Sequence, residues 1–201
     1  MQIENLSNEI VKICRDLRKQ KLVNATHGNI SARYEDIMLI TPTGCDFNSV
    51  ESKDIVQMDI NTGKVISLGK PSKEYDLHLS AYRKRPDIKA VVHAHSPNAV
   101  AISCINPKDI DDVVPAYTLS FALFTKRLPM IGYFKAGSPE LAENASNKLI
   151  DHNAVLLQHH GVITVSDTLM KALYRVEEIE ENCSIALHIG LNANCLNPDK
   201  L

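Results

Sequence analysis

The stretch that decides the fold runs from Lys89 to Val100 and reads KAVVHAHSPNAV. Its apolar, β-branched start, Ala90 to Val92, is typical of a buried strand. Side chains two residues apart on a strand project from the same face, so His93 and His95 are predicted to point the same way. The Ser-Pro pair that follows is typical of a helix start. Both histidines are therefore expected where a strand ends and a helix begins, which is where ligands of α/β proteins usually bind.

A His-x-His pair at a strand end can supply two metal ligands, or it can be two ordinary surface or core histidines. A second apolar run, Val155 to Leu157, is followed by the sequence Gln158 to Gly161, which contains His159 and His160. We predict a second buried strand there, continuing through residues 162–165. Two apolar strands that both reach histidine suggest a site of three imidazoles with an open position, which is the catalytic rather than the structural zinc pattern.

Length and composition predict one domain over residues 1–201. The chain is 44% hydrophobic and 23% charged, with a net charge near −2 and no long basic run, so nothing indicates a nucleic-acid partner. No apolar run is long enough to cross a membrane, and the first residues do not resemble a signal peptide, so we expect a cytoplasmic protein. The five cysteines have no close pairing and are expected to be reduced thiols.

Apolar spacing gives a coarse map of the other elements. Helices are predicted over residues 4–21, 75–84, 97–105, 138–150 and 168–191. Strands are predicted at 38–41, around a turn at 61–63 within 54–69, and at 128–134. The segment 113–127 is ambiguous between strand and helix. A turn rich in small residues at 24–29 is expected to open a further strand.

Two loops and one helix start are candidates for binding or catalysis. Glycine beside an amide at Gly28-Asn29, and a hydroxyl beside glycine at Thr43-Gly44, can cradle an anion, although each pattern is more often only a turn. Ser72 is a plausible N-cap, and Glu74 lies in the first turn of that helix, with His78 four residues on over the same face. A capped helix with a favourable acidic residue explains the same pattern without any catalytic role.

Five motifs in this order resemble the class II aldolase/adducin family, over nearly the whole chain. They are Thr26–Ser31, Thr41–Gly44, Pro71–Glu74, His93–His95 and Gln158–Gly161. The resemblance implies an α/β fold: a three-layer α/β/α sandwich with a central, mostly antiparallel sheet. It also implies a homotetramer with active sites at subunit boundaries, acting on a small phosphorylated sugar or sugar acid.

The resemblance also implies roles for individual residues. Three histidines, His93, His95 and His160, are the expected zinc ligands, with manganese or cobalt as alternatives. Glu74 is the expected catalytic acid/base and coordinates the metal when no substrate is bound. The expected binding residues for the substrate phosphate are Gly28, Asn29, Thr43, Gly44 and Ser72, joined by Lys73.

The pattern departs from fuculose-phosphate aldolases at two places. Those enzymes carry two serines before the glutamate, where this chain has Ser72-Lys73, and Tyr117 only approximately matches their mid-chain tyrosine. The Ser-Lys-Glu block and the run Leu128–Phe134 are instead similar to the subgroup of 3-oxo-tetronate 4-phosphate decarboxylases. A lysine there can pair with a substrate carboxylate or phosphate.

The leading hypothesis is therefore a zinc-dependent decarboxylase of a 3-oxo-tetronate 4-phosphate. An aldolase that releases dihydroxyacetone phosphate, or a ribulose-5-phosphate 4-epimerase-like enzyme, is the alternative. A non-catalytic interaction domain like the adducin head is a third interpretation, against which the three histidines and Glu74 argue.

Overall fold

A computed structural model describes residues 2–201 of the chain as seven strands and six α-helices. The strands are β1 Asn29–Tyr34, β2 Ile37–Ile40, β3 Val56–Asp59, β4 Ala90–Ala94, β5 Met130–Ile131, β6 Ala154–Leu157 and β7 Gly161–Ser166. The helices are α1 Gln2–Lys19, α2 Tyr75–Lys84, α3 Pro97–Ser103, α4 Leu119–Phe124, α5 Pro139–Lys148 and α6 Leu169–Ile189. Two short 3-10 turns lie at Ser52–Asp54 and Pro198–Lys200.

All seven strands form one sheet in the order β3-β2-β1-β4-β7-β6-β5. Every neighbouring pair is antiparallel except β5 and β6, which are parallel. Helices cover both faces, so successive side chains of a central strand are buried in different cores. In β4, Val92 packs with α1, α3, α4 and α6, whereas Val91 packs with α2 and α5. The three-layer α/β/α fold with a mostly antiparallel sheet is confirmed.

The strand predicted to run through His160 is in fact two strands. β6 ends at Leu157, and β7 begins at Gly161 and runs back beside it, with Leu157 paired to Gly161. The three residues between them form the turn of a hairpin, in which His159 adopts a φ of 57°. Because apolar residues flank the turn on both sides, the hydrophobic pattern alone does not reveal the reversal.

Other boundaries also differ from the prediction. The strand predicted at 128–134 contains only the two residues of β5, although Leu156 and Gln158 extend its contacts by donating N–H groups to the carbonyls of Pro129 and Ile131. The ambiguous segment 113–127 contains α4, whose first turn is capped by the Thr118 side chain. Only β3 forms a regular strand in the segment 54–69, and Val65 adds an isolated bridge to Met58.

The long helix α6 holds the neighbouring elements with buried or partly buried polar side chains. The Glu180 carboxylate accepts hydrogen bonds from the backbone N–H groups of Asn98 and Ala99, at the start of α3. Asn182 bonds the backbone on both sides of Ala116, and the Arg175 guanidinium donates to the carbonyls of Val165 and Phe124. Glu180 thus fixes α3 directly after His95, where the Ser96 hydroxyl makes no capping bond.

The end of β4 is closely approached from both sides by glycine. A Cβ atom at Gly161 would lie 2.4 Å from the Ala94 carbonyl oxygen, and one at Gly28 would lie 2.7 Å from that of His93. Both distances are shorter than van der Waals contact and involve backbone atoms, which cannot move without shifting β4. Only glycine fits at these two positions.

We expect Gly161→Ala to lower the free energy of unfolding by about 3 kcal/mol, the upper range for overpacking a core. Gly132→Ala is the matched control, since a Cβ there would meet nothing closer than 3.9 Å. Thermal and urea denaturation of the two variants would measure the difference. Equal stability of the two variants would contradict the steric argument.

Candidate metal centre

Four side chains that are distant in sequence converge at the end of β4. Glu74 immediately precedes α2, His93 lies on β4, His95 follows that strand, and His160 is in the hairpin turn between β6 and β7. One ligand atom from each of the four lies within 4.8 Å of all the others. Among residues 2–201 this is the one such group of histidine, cysteine and carboxylate side chains.

The three imidazoles present the same atom to a common centre. The Nε2 atom of His93 lies 3.0 Å from that of His95 and 3.3 Å from that of His160. The Glu74 carboxylate faces the same atoms, with Oε2 3.3 Å from His93 Nε2 and Oε1 3.4 Å from His160 Nε2. The rings are mutually edge-on, with centroids 4.7 to 4.8 Å apart.

The protonation of His93 follows from its backbone contact. Its Nδ1 lies 3.0 Å from the Val162 carbonyl oxygen, which can only accept a hydrogen bond, so Nδ1 carries the proton. In the neutral ring, Nε2 then has a free lone pair directed at the centre. A carbonyl that fixes the tautomer of a histidine in this way is usual behind metal-ligating imidazoles.

Burial and crowding favour the neutral form of the other two rings. Burial and the nearby His93 lower the pKa of His95 to about 2 and that of His160 to about 4. For Glu74, burial alone raises the pKa, but the His93 and His160 rings and the Asn29 amide outweigh it and hold the pKa below its ordinary range. The neutral rings of His95 and His160 therefore lie beside an ionised carboxylate.

This donor set fits a divalent cation. Glu74 Oε1 is buried, and no described residue donates a hydrogen bond to it. Three imidazole lone pairs that point at one another repel unless a cation or a proton lies between them. Neutral imidazole nitrogen and carboxylate oxygen are preferred ligands of zinc and are shared by other first-row divalent ions.

The predicted phosphate-binding residues lie in two loops and in the segment that leads to Glu74. Gly28 and Asn29 lie at the start of β1, where Asn29 pairs with His93 across the sheet. Thr43 and Gly44 form an exposed loop beside the segment that leads to Glu74, because the Thr43 N–H donates to the Lys70 carbonyl. Lys73 is exposed and next to Glu74 in the chain, and its ammonium has no hydrogen-bonding partner among residues 2–201.

Ser72 was predicted as the N-cap of α2, and this prediction is wrong. The N-cap position belongs to Glu74, whose side chain makes no capping bond. The Ser72 hydroxyl instead accepts from the Glu74 N–H, and the Ser72 carbonyl accepts from the Tyr75 N–H, which makes a turn before the helix. The turn leaves the Glu74 carboxylate free to face His93 and His160.

Sequence reasoning missed three contacts of the centre. The Asn29 amide donates to Glu74 Oε2 at 2.9 Å, and Asn29 Oδ1 lies 2.5 Å from His78 Nε2. The exposed ring of His27 stacks on His95, with centroids 5.2 Å apart. The four-residue spacing of Glu74 and His78 indicated only that the two share a face of α2. No local signal pointed to Asn29, which lies 45 residues from Glu74.

Two other residues named from the sequence lie outside the cluster. His159 turns away from it, with Nδ1 3.3 Å from the Cys104 sulfur. The Tyr117 hydroxyl donates to the Gly190 carbonyl at 3.0 Å, and the Tyr117 backbone N–H is held by Asn182. Neither side chain is among the four converging groups.

Comparison with known proteins agrees with this geometry. The family model described as "Class II Aldolase and Adducin N-terminal domain" matches residues 8–187. The L-fuculose phosphate aldolase of Methanocaldococcus jannaschii is 37% identical, over 89% of this chain and 94% of the relative. The 3-oxo-tetronate 4-phosphate decarboxylase of Haemophilus influenzae is 35% identical, over 79% of this chain and 75% of the relative.

Solved structures agree with the fold. The crystal structure of YgbL from Escherichia coli matches with a TM-score of 0.94 and 26% identity, covering 100% of this chain and 99% of YgbL. The chain belongs to the class II aldolase and adducin family. It is a metal-dependent lyase of the class II aldolase type. In residues 2–201, no helix combines the length and the apolar character needed to cross a membrane.

We expect His160→Asn to weaken zinc binding by more than the roughly 10- to 100-fold lost when a residue behind a ligand is removed. His159→Asn is the matched control, because asparagine tolerates the positive φ at that position and the His159 ring faces Cys104. Competition with a chromophoric zinc chelator would measure both affinities. Equal loss in the two variants would show that His160 is not a ligand.

Proposed function

We propose that this protein is a zinc-dependent decarboxylase of a 3-oxo-tetronate 4-phosphate, with His93, His95 and His160 as metal ligands and Glu74 as acid/base. A divalent ion among these ligands would supply positive charge that stabilises a developing enolate oxygen. The observation that carries the choice of substrate is Lys73. Its cationic side chain lies directly before Glu74 and is not neutralised by any carboxylate among residues 2–201.

The chemistry of the two main candidate reactions converges on one product. Loss of carbon dioxide breaks the bond between C1 and C2 of a 3-oxo-tetronate 4-phosphate and leaves the electron pair in the enolate between C2 and C3. Protonation at C2 then gives dihydroxyacetone phosphate. Aldol cleavage of a ketose 1-phosphate leaves the same enolate and releases an aldehyde instead, so one enolate-stabilising centre can serve either reaction.

Residues of the protein would transfer the proton and bind the phosphate and carboxylate of the substrate. Glu74, held as a carboxylate, can receive a proton and return it to carbon, with water as the final proton source. The predicted loops of Gly28-Asn29 and Thr43-Gly44, with Ser72, would hold the phosphate through N–H and O–H donors. Lys73 would pair with the carboxylate that leaves as carbon dioxide, which an aldolase substrate does not possess.

Aldol cleavage of L-fuculose 1-phosphate is the second candidate. It is favoured by the relatives, since the proteins named L-fuculose phosphate aldolase from Methanocaldococcus jannaschii and Haemophilus influenzae are 37% and 38% identical to this chain. The decarboxylase from the second organism follows closely, at 35%. Lys73, rather than overall similarity, therefore separates the two proposals.

We expect the zinc-loaded protein to release carbon dioxide from at least one configuration of 3-oxo-tetronate 4-phosphate, and Glu74→Gln to abolish this release. Lys73→Ala should lower kcat/KM by about 10- to 100-fold, the worth of a hydrogen bond to a charged group. Lys89→Ala, at the opposite end of β4, should have no effect. The assay would follow carbon dioxide and dihydroxyacetone phosphate together.

The aldolase is tested in parallel with L-fuculose 1-phosphate. Formation of dihydroxyacetone phosphate from that ketose, without carbon dioxide release from either acid, would replace the decarboxylase by the aldolase. Turnover of an acid that Lys73→Ala leaves unchanged would keep the decarboxylase and remove the role proposed for Lys73.

We also propose a cytoplasmic homotetramer. Exposed apolar side chains on α4 support a subunit contact, since Leu119, Leu123 and Phe124 are each more than half exposed. Contiguous apolar surface of this kind is typical of interfaces. Sedimentation analysis should give a mass four times that of one chain, and Leu123→Glu should shift it to smaller species. A monomeric wild-type protein would contradict the proposal.

A further inference from the structure

A continuous chain of buried hydrogen bonds leads from the interior of the protein to Glu74. Tyr82 OH lies 2.9 Å from Ser31 Oγ, which lies 2.7 Å from His78 Nδ1. On its other side, His78 Nε2 lies 2.5 Å from Asn29 Oδ1, and Asn29 Nδ2 lies 2.9 Å from Glu74 Oε2. None of these five residues is more than 8% exposed.

Two regular elements bring the five residues together. Glu74, His78 and Tyr82 are spaced four residues apart and so lie along one side of α2. Asn29 and Ser31 are two residues apart on β1 and project from one face of the sheet. The helix lies over that strand, so the side chains interlock alternately from helix and strand.

The direction of every hydrogen bond in this series follows from the Glu74 carboxylate at one end and the His78 ring in the middle. The Glu74 carboxylate can only accept, so Asn29 Nδ2 donates and Asn29 Oδ1 is left to accept from His78 Nε2–H. His78 is fully buried, and burial lowers its pKa to about 3, so the ring is neutral and its Nδ1 accepts. The Ser31 hydroxyl must then donate to Nδ1, and the Tyr82 hydroxyl donates to Ser31.

These hydrogen bonds fix the orientation of the Asn29 amide. An asparagine side chain turned by 180° has nearly the same shape but exchanges its donor and its acceptor. With the oxygen towards Glu74, two acceptors would face each other, and Oε2 would lose its donor. The His78 Nε2–H prevents this exchange, because it requires an acceptor at the place where the turned amide would present a second donor.

We propose that His78 is a positioning residue for Glu74, acting through Asn29 and held in its Nε2–H tautomer by Ser31 and Tyr82. The inference rests on the proposed role of Glu74 as acid/base. With Oε2 occupied by Asn29, Oε1 is the carboxylate oxygen that no described residue donates to. This series of hydrogen bonds does not carry protons to Glu74, since the amide of Asn29 would have to pass through its imidic acid form.

The first test is spectroscopic and does not depend on turnover. Nitrogen-15 NMR of the metal-free protein distinguishes protonated from unprotonated ring nitrogens, and His78→Gln identifies the signals that belong to His78. We expect Nε2 to be protonated and Nδ1 unprotonated. Ser31→Ala removes the donor to Nδ1 and should allow the Nδ1–H form to appear. An Nδ1–H ring or an imidazolium in the wild-type protein would overturn the proposal.

The second test is kinetic. His78→Phe should lower kcat by about 100-fold, the scale of a small misplacement of a catalytic group, with zinc content unchanged. Glutamine also combines a donor and an acceptor, so His78→Gln should recover most of the activity. Leu79→Val is the matched control for lost packing in α2, because Leu79 is buried but outside the chain of hydrogen bonds.

The outcomes separate this inference from the proposed function. A wild-type protein that turns over neither an acid nor a ketose phosphate would refute the proposed function, and the NMR result would still decide the tautomer. An active wild-type protein in which His78→Phe behaves like Leu79→Val would refute the positioning role alone. If His78→Phe does not fold, Ser31→Ala takes its place, with a smaller expected loss of kcat.

Discussion

The arrangement of the site depends on how closely the backbone on either side approaches the end of β4. At Gly28 and Gly161 a single added carbon atom would lie 2.7 and 2.4 Å from β4 carbonyl oxygens. On one side this approach aligns Asn29 with His93, and on the other it brings the hairpin that carries His160 across the same strand end. Without both approaches, His160 would not reach His93 and His95, and the Asn29 amide would not reach the Glu74 carboxylate.

The electrostatic design of the centre follows from this geometry. Burial lowers the pKa values of His95 and His160. The convergence of three imidazoles makes a cation favourable among them, because their lone pairs otherwise face one another. The Val162 carbonyl sets the tautomer of His93, and the Asn29 amide supplies a donor to Glu74. For His93 and Glu74, the residues immediately behind them therefore decide which atoms face the centre.

Local patterns were enough to predict the parts of the site that are adjacent in sequence. The two-residue period of a strand correctly placed His93 and His95 together, and the Ser-Pro pair correctly marked the start of α3 at Pro97. The reversal at His159 was not predictable from apolar runs, since both arms of the hairpin are fully buried. Ser72 shows a similar limit of local patterns. Its hydroxyl does accept a backbone hydrogen bond, but from the Glu74 N–H in the turn before α2 and not from within the helix.

Polar contacts between residues far apart in sequence are the part of the site that no local pattern predicts. Asn29 was singled out as a phosphate donor from its Gly-Asn turn, yet one of its two amide hydrogens is used by Glu74, 45 residues away. The other hydrogen remains for an anion, so one amide can touch the acid/base and the substrate together. Because His78 already prevents that amide from turning, binding energy need not be spent on orienting it. Such preorganisation makes a buried histidine, which contacts neither metal nor substrate, a determinant of the chemistry.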